Sequence, residues 1–323
     1  MGKQIRAAIV GYGNLGKSAE AVIAEQPDFD FVGVFSRRDA TALDTTSPVF
    51  PVDSIADFRD RIDVLLLCLG SATDMPSQGP EFAKLFTTAD TYDNHALIPE
   101  HRERMDAAAR SGDNLALIST GWDPGLFSIN RVMGEALFHR ATQNTFWGPG
   151  LSQGHSDAIR RIAGVRAGVQ YTVPKEDAIA AARRGLTQNG KQAHLRQCYV
   201  VADVEDHDRI RDEIVNMPDY FVGYETTVTF VSEAEFAQKH QGMPHGGRVI
   251  TSGELGADHT QHTVEYSLEL DRNPDFTAAA LVAYARAAVR MRRDGVVGAV
   301  TPFEVAPYLL SPTPLDELVS NRL

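Results

Sequence analysis

The sequence predicts an α/β protein in which a doubly wound parallel sheet is followed by a second, α+β domain. Short apolar runs alternate with helical patterns up to about residue 120, and buried strands separated by helices are typical of a parallel sheet with right-handed crossovers. Beyond Trp147 most segments favour strands joined by loops. Several of these segments alternate polar and apolar side chains, as strands of an antiparallel sheet with one wet face do.

The predicted elements follow in chain order. In the first part we expect strands at 5–10, 31–35, 64–69 and 115–118, and helices around 15–25, 81–85 and 100–109. In the second part we expect strands at 169–173, 197–201, 226–231, 248–251 and 263–270. A long alanine-rich helix runs from Asp275 to about Arg293, with Asn273 as its N-cap, Pro274 as its first residue and Gly295 as its stop.

Composition excludes several classes of protein. Of the 323 residues, 43% are hydrophobic and 23% are charged, which are ordinary values for a globular chain of two domains. The net charge of −12 repels phosphate backbones, so we expect no nucleic-acid partner. The longest apolar run, 64–69, is far shorter than the ~20 residues of a membrane span. Cys68 and Cys198 form no CxxC motif, so we expect no metal site or disulfide framework and a cytoplasmic location.

A phosphate-binding loop follows the first predicted strand. Gly11 permits a tight turn, Gly13 lets a pyrophosphate approach the backbone, and Gly16 allows close packing of helix and strand. The N-terminus of the helix then faces the anion with free N–H groups. This pattern predicts a Rossmann-type dinucleotide-binding domain, whose motif is Gly11-Tyr12-Gly13-Asn14-Leu15-Gly16.

The end of the second strand indicates which dinucleotide binds. An NAD site usually has Asp or Glu here for the ribose 2′-hydroxyl, whereas this chain has Ser36, Arg37 and Arg38. Guanidinium groups match a phosphate, so the sequence predicts NADP. A solvated basic turn is the alternative, because Asp39 follows at once.

The later strand ends carry further candidate side chains. After the third strand, Ser71 and Thr73 are expected to hydrogen-bond ribose or phosphate, whereas Cys68 reads as a small core residue. Asp93 and Asp123 follow the next two strand ends, where a carboxylate can bind an ammonium group or take a proton. An Asx turn at Asp93 and a helix N-cap at Asp123 remain alternatives.

Taken together, these segments resemble the meso-diaminopimelate D-dehydrogenase family. The resemblance covers nearly the whole chain, in long contiguous blocks that are more specific than the glycine motif. The blocks that carry it are 11–16, 35–38, 70–74, 90–95, 119–125, 144–157, 217–224, 242–247, 271–275 and 306–312.

The resemblance implies a homodimeric, NADP-dependent enzyme of lysine and peptidoglycan precursor biosynthesis. It would oxidise the D-centre of meso-2,6-diaminopimelate reversibly, releasing ammonium and L-2-amino-6-oxopimelate, which cyclises to tetrahydrodipicolinate. The implied domains are a dinucleotide-binding domain of residues 1–123 plus about 300–323 and a substrate-binding and dimerisation domain of residues 124–299.

The resemblance also implies a role for individual residues. Asp93 and Asp123 correspond to the catalytic pair beside the reacting amino group, although which of them takes the proton, or whether water does, stays open. The expected substrate-binding residues are Trp122, Trp147, Gln153, Gly154, Thr172, Arg196, His245 and Asn273. The expected cofactor-binding residues are the glycine motif, Ser36, Arg37, Arg38, Cys68, Gly70, Ser71, Ala72, Thr73, Tyr92 and Gly121.

Other interpretations use the same residues. Arg196 suits a surface charge, His245 a turn, and Asn273 a helix N-cap. A broad D-amino-acid dehydrogenase, a related NADP-dependent reductase, and a non-catalytic NADP(H) sensor are the alternative functions. The polar groups Thr172, Arg196 and His245 favour a substrate with distal charges, since a broad enzyme would have apolar groups there.

Overall fold

The computed structural model describes residues 4–138 and 140–323, so residues 1–3 of the predicted first domain lie outside the described chain. The strands are β1 (Ile5–Val10), β2 (Phe29–Ser36), β3 (Val49–Pro51), β4 (Val64–Leu67), β5 (Thr88–Asp90), β6 (Leu115–Leu117), β7 (Ala141–Trp147), β8 (Gly150–Leu151), β9 (Ala167–Pro174), β10 (His194–Val201), β11 (Glu225–Phe230), β12 (His245–Leu255), β13 (Thr260–Leu270) and β14 (Gly298–Val300). The helices are α1 (Asn14–Ala24), α2 (Met75–Leu85), α3 (Ile98–Ser111), α4 (Leu126–Leu137), α5 (Gln153–Arg160), α6 (Glu176–Arg183), α7 (His207–Val215), α8 (Glu233–Lys239), α9 (Asn273–Arg293), α10 (Pro307–Leu310) and α11 (Leu315–Arg322). None of the described helices is both long and apolar enough to cross a membrane.

The chain forms two compact units, one comprising the chain up to Ile129 together with Pro274–Leu323, and the other Asn130–Asn273. The first unit holds a sheet with the strand order β14-β6-β5-β4-β1-β2-β3. Its strands pair in parallel, and the order reverses direction at β1. The predicted doubly wound parallel sheet is therefore confirmed.

Both faces of this sheet are buried, because successive side chains of a strand point to opposite sides and helices pack on each side. One face belongs to a cluster that includes Val10 and Leu67, and the other belongs to a cluster that includes Ile9 and Leu66. Residues of α9, such as Leu281, complete the second cluster.

Helix α9 corrects two sequence predictions. The boundaries 1–123 with about 300–323, and 124–299, put this helix in the second domain, whereas its apolar side packs on the sheet of the first unit. Asn273 is the first residue of the helix rather than its N-cap. Gly295 follows its end with φ +87°, a conformation that suits glycine, so the predicted stop is confirmed.

The second unit contains two sheets, with orders β11-β10-β9-β8 and β13-β12-β7. The expected antiparallel pattern holds except between β10 and β11, which run parallel because helix α7 crosses over between them. In β13 the expected alternation is present over residues 266–270, where Tyr266, Leu268 and Leu270 are more buried than Ser267 and Glu269, whereas residues 260–265 are exposed on both faces.

Candidate active site

The glycine motif builds a close turn between β1 and α1. Gly11 has φ +88°, and a Cβ there would collide with the carbonyl oxygen of Cys68. A Cβ on Gly16 would collide with the carbonyl oxygen of Gly11, so the helix starts against the turn. A Cβ on Gly13 would meet nothing within 4 Å, which leaves open space in front of the N-terminus of α1.

A cleft of about 240 Å³ lies at this turn. The guanidinium of Arg37 lies 3.2 Å from the carboxylate of Asp74, and Arg38 donates to the carbonyl oxygen of Tyr12. Burial raises the pKa of the Cys68 thiol to about 12, so this side chain is un-ionised and a poor nucleophile. The cleft is lined by Val10, Gly11, Tyr12, Gly13, Phe35, Ser36, Arg37, Arg38, Val52, Cys68, Leu69, Gly70, Asp74 and Gln78.

The other predicted cofactor residues do not line this cleft, but some of them are its neighbours in the chain. Asn14, Leu15 and Gly16 form the first turn of α1, whereas Ser71, Ala72 and Thr73 form the turn that leads into α2. The ring of Tyr92 is 2% exposed and stacks on His101, so its side chain serves packing. Gly121 is buried in a bridge with Gly125.

The two candidate carboxylates follow neighbouring strands of the first sheet. Asp93 is exposed in the loop after β5, and Asp123 is half-buried in the turn between β6 and α4. Because α4 begins at Leu126, Asp123 lies three residues before the helix and is not its N-cap. Trp122 is 7% exposed and packs edge-on against Phe127, so it forms a fixed wall beside Asp123.

In the second unit, strand register brings three predicted residues together. Thr172 on β9 pairs with Arg196 on β10 and, on its other side, with Gly150 on β8. A Cβ on Gly150 would overlap the ring of His245, so this ring lies directly on the strand. The glycine makes room for the imidazole of His245 against β8, two strands away from Arg196 on β10.

Arg196 is a buried cation with neutral neighbours. It is 8% exposed, donates to the hydroxyl of Thr172, and lies over the ring of Tyr224 at 4.1 Å. Its Nε has no hydrogen-bond partner among the described residues, nor has Oε1 of the fully buried Gln170. Buried polar atoms of this kind are usually paired, so these two atoms stand out as unsatisfied beside Arg196 and Thr172.

Two histidines of the pocket are held neutral by burial. Burial, and after it the charge of Arg196, lowers the pKa of His155 to about 4. Burial also lowers the pKa of His245, whose Nδ1 accepts from the N–H of Gly246 at 2.8 Å. Neutral imidazoles add no positive charge beside Arg196.

The remaining predicted substrate residues lie in the same unit. Trp147 is 40% exposed, and its N–H donates to Nε2 of His194 at 3.1 Å. Gln153 and Gly154 are the exposed first residues of α5. The N–H of Asn273 donates to the carbonyl oxygen of Met243 at 2.9 Å, two residues before His245. Within residues 4–138 and 140–323, no group of three or more His, Cys, Asp and Glu side chains is arranged to hold a metal ion.

Comparison with known proteins identifies the family. Residues 121–272 match the family model described as diaminopimelic acid dehydrogenase C-terminal domain. The chain is 60% identical to the meso-diaminopimelate D-dehydrogenase of Corynebacterium glutamicum over 98% of each protein. It belongs to the meso-diaminopimelate D-dehydrogenase family.

Solved structures agree with this membership. The diaminopimelate dehydrogenase of C. glutamicum in complex with diaminopimelate covers all of both chains, with 59% identity and a TM-score of 0.91. An engineered D-amino-acid dehydrogenase bound to NADP⁺ shares 57% identity and covers 99% of this chain and 100% of its own, with a TM-score of 0.86.

Several residues of this D-dehydrogenase family member escaped the sequence analysis. Asp74 and Gln78 line the cleft from α2 and the residue before it, and no sequence pattern assigned them there. His155 and Tyr224 lie near Arg196, and Gln170 donates to the hydroxyl of Thr172, which also accepts from Arg196. The signal for Gln170 was available, because it lies two residues before Thr172 and so shares its face of the strand.

Proposed function

We propose that this chain catalyses the NADP-dependent oxidative deamination of the D-centre of meso-2,6-diaminopimelate. The products are ammonium and L-2-amino-6-oxopimelate, which cyclises to tetrahydrodipicolinate, and the reverse reaction supplies lysine and peptidoglycan precursors. The observation that carries the proposal is 60% identity, over 98% of the chain, to a protein named for this activity.

The cleft of the first unit fits the cofactor. Open space beside Gly13 accommodates a pyrophosphate at the N-terminus of α1. Arg37 and Arg38 at the end of β2 suit the 2′-phosphate, and no carboxylate stands at these positions to select the ribose hydroxyl of NAD. Bound NADP supplies the hydride acceptor for the oxidation.

Asp93 and Asp123 act on the amino group of the D-centre. The amine must lose a proton before its carbon can be oxidised to an iminium, which water then hydrolyses to release ammonium. A carboxylate at either position can hold the ammonium group and accept its proton. Trp122, the residue before Asp123, is buried and packs edge-on against Phe127, which fixes its own position next to Asp123 in the chain.

Thr172, Arg196 and His245 bind the opposite, L-configured end. Arg196 presents a guanidinium that pairs with a carboxylate, at ~1.5–3 kcal/mol for each charge-assisted hydrogen bond. Simple D-amino acids lack that carboxylate and would leave these buried groups unpaired. The pocket therefore favours meso-diaminopimelate over the broad substrate range considered above.

A homodimer in the cytoplasm completes the proposal. In the second unit, α4 exposes Val132, Met133 and Leu137, and β13 exposes Val264. Apolar side chains grouped on one element are typical of an interface. A second copy of this chain would cover them, and sedimentation should then give twice the mass of the chain.

The direct test supplies the separate LL-, DD- and meso-isomers of diaminopimelate with NADP or NAD and follows absorbance at 340 nm. We expect rapid reduction of NADP with the meso-isomer and weak reduction with the LL-isomer, with D-alanine, or with NAD. Equal kcat/KM for D-alanine and meso-diaminopimelate would support the broad enzyme instead. No reduction with any substrate would support the sensor.

A further inference from the structure

Asp90 joins the two loops that carry the candidate catalytic carboxylates. It is the last residue of β5, and its side chain is fully buried. Its Oδ1 accepts hydrogen bonds from the N–H of Tyr92 at 2.9 Å and from the N–H of Ser119 at 2.8 Å. Tyr92 precedes Asp93 directly, and Ser119 begins the segment that leads to Asp123.

The main chain of Asp90 reinforces this connection. Its carbonyl oxygen accepts from both the N–H and the hydroxyl of Thr120, each at 2.8 Å. The ladder between β5 and β6 has its last pair at Ala89 and Leu117. Asp90 therefore continues the connection beyond the point where the two strands stop pairing.

Ser119 shows that this connection imposes a conformation. Its φ is +56°, in the left-handed region that a residue with a side chain rarely adopts. Such a conformation persists where surrounding contacts impose it. The N–H of Ser119 points at Oδ1 of Asp90, so this carboxylate is one of the contacts that hold the turn.

His101 completes the arrangement from helix α3. Its Nε2 lies 2.9 Å from Oδ2 of Asp90, and its ring stacks on Tyr92 with centroids 4.1 Å apart. Asp90 is 0% and His101 4% exposed, so neither side chain is placed to touch a ligand. A buried carboxylate with three donors is satisfied within the protein.

We propose that Asp90, supported by His101, is a positioning residue that sets the two loops bearing Asp93 and Asp123 together. The inference rests on the proposed function for the roles of those two carboxylates. Loss of the Asp90 carboxylate frees the starts of both loops at once, so it lowers kcat and leaves the nucleotide cleft unchanged.

The first experiment compares Asp90→Ala with Asp63→Ala, because an asparagine at position 90 would keep an oxygen that accepts from Tyr92 and Ser119. Asp63 precedes β4 and accepts from the N–H of Arg6 at 2.9 Å, so it also links side chain to main chain, but at the amino ends of the strands. We expect Asp90→Ala to lower kcat at least about tenfold and to keep the Kd of NADP within about twofold. Asp63→Ala should keep kcat within about twofold. Equal effects of the two variants would overturn the proposal.

His101 provides a second, conservative series. In His101→Gln the side-chain amide can still donate to Oδ2 of Asp90, whereas in His101→Leu nothing donates. We expect the glutamine variant to retain most of kcat and the leucine variant to lose it. A leucine variant with normal kcat would contradict the proposal even if Asp90→Ala failed to fold.

Two readouts separate positioning from general damage. In the Asp123→Asn background, Asp90→Ala should lower kcat by a smaller factor than in the wild type, because both changes act on one group. Amide hydrogen exchange in 91–95 and 119–125 should be faster in Asp90→Ala than in Asp63→Ala. The exchange result needs no turnover, so it tests the positioning even if the wild type fails to oxidise meso-diaminopimelate. Full additivity in the kinetic cycle, or unchanged exchange in both loops, would refute it.

Discussion

The acidic loops of the first unit and the cationic pocket of the second unit use buried charge in opposite ways. In the loops, the buried side chain is Asp90, which has three donors, whereas the candidate catalytic Asp93 is exposed and Asp123 half-buried. In the pocket, the buried charge is Arg196, the residue assigned to the substrate.

The two regions differ in which group pairs with the buried charge. Burying a charge is costly unless it is paired, and Asp90 is paired before any ligand arrives. Among the residues that the structure describes, Arg196 is paired with the hydroxyl of Thr172 and the ring of Tyr224, and under the proposed function a substrate carboxylate completes its pairing. Under the proposed function, the first region serves the rate and the second the affinity. Two experiments test that division, and a third tests the burial of a neutral His155 near Arg196.

The largest effect is expected for Asp123→Asn. A general base contributes about 10²–10⁴-fold to a rate, so we expect kcat with meso-diaminopimelate to fall at least about 100-fold. The Kd of NADP should stay within about twofold, measured by the fluorescence of the bound reduced cofactor. Asp57→Asn, an exposed aspartate of the same unit, is the control. Normal turnover of Asp123→Asn would remove this residue from the catalytic pair.

A smaller effect is expected for Arg196→Lys, and it should appear mainly in KM rather than in kcat. The ammonium keeps the charge but loses the planar fork and the stacking on Tyr224. We expect KM for meso-diaminopimelate to rise about 10–100-fold, with a smaller change in kcat, in steady-state assays at saturating NADP. Arg211→Lys is the control, because Arg211 also lies over a ring, that of Phe230, but on the surface. A fall in kcat at constant KM would break the proposed division.

The smallest effect is a dependence of stability on pH. His155 has a pKa of about 4 in the folded protein, against about 6.5 for a free histidine. The unfolded chain therefore binds more protons between these values, and stability is lost as the pH falls from 6.5 towards 4. Urea midpoints should fall less between pH 7 and pH 5 in His155→Gln than in the wild type. The exposed His262→Gln should behave like the wild type, and identical slopes in all three proteins would contradict the burial of a neutral His155.

Local patterns predicted much of the first unit. The glycine motif, the strand ends and the two carboxylates depend on neighbours in sequence, and the structure places Gly11, Gly13 and Gly16 as their spacing indicates. The parallel pairing of β10 with β11 and the packing of α9 were not predictable in this way. Both depend on which distant part of the chain offers an apolar surface. The hydrophobic periodicity within a segment does not identify that partner.

The surroundings of Arg196 and Asp90 were missed for the same reason. Tyr224 lies 28 residues after Arg196 in the chain, and His101 lies 11 residues after Asp90. Histidine, tyrosine and buried aspartate have no distinctive spacing when their partners come from other elements. Their roles become visible only when strand register and helix packing bring them together.

The first unit is built from two separate stretches of the chain, so its parts are synthesised at different times. A nascent chain that has reached residue 273 contains all of the second unit but lacks both α9 and β14. Until the ribosome adds them, Ile9 and Leu66 have no helix from this end of the chain to cover them, and β6 remains an open edge. The first unit can therefore complete its sheet and its core only after the second unit has been synthesised.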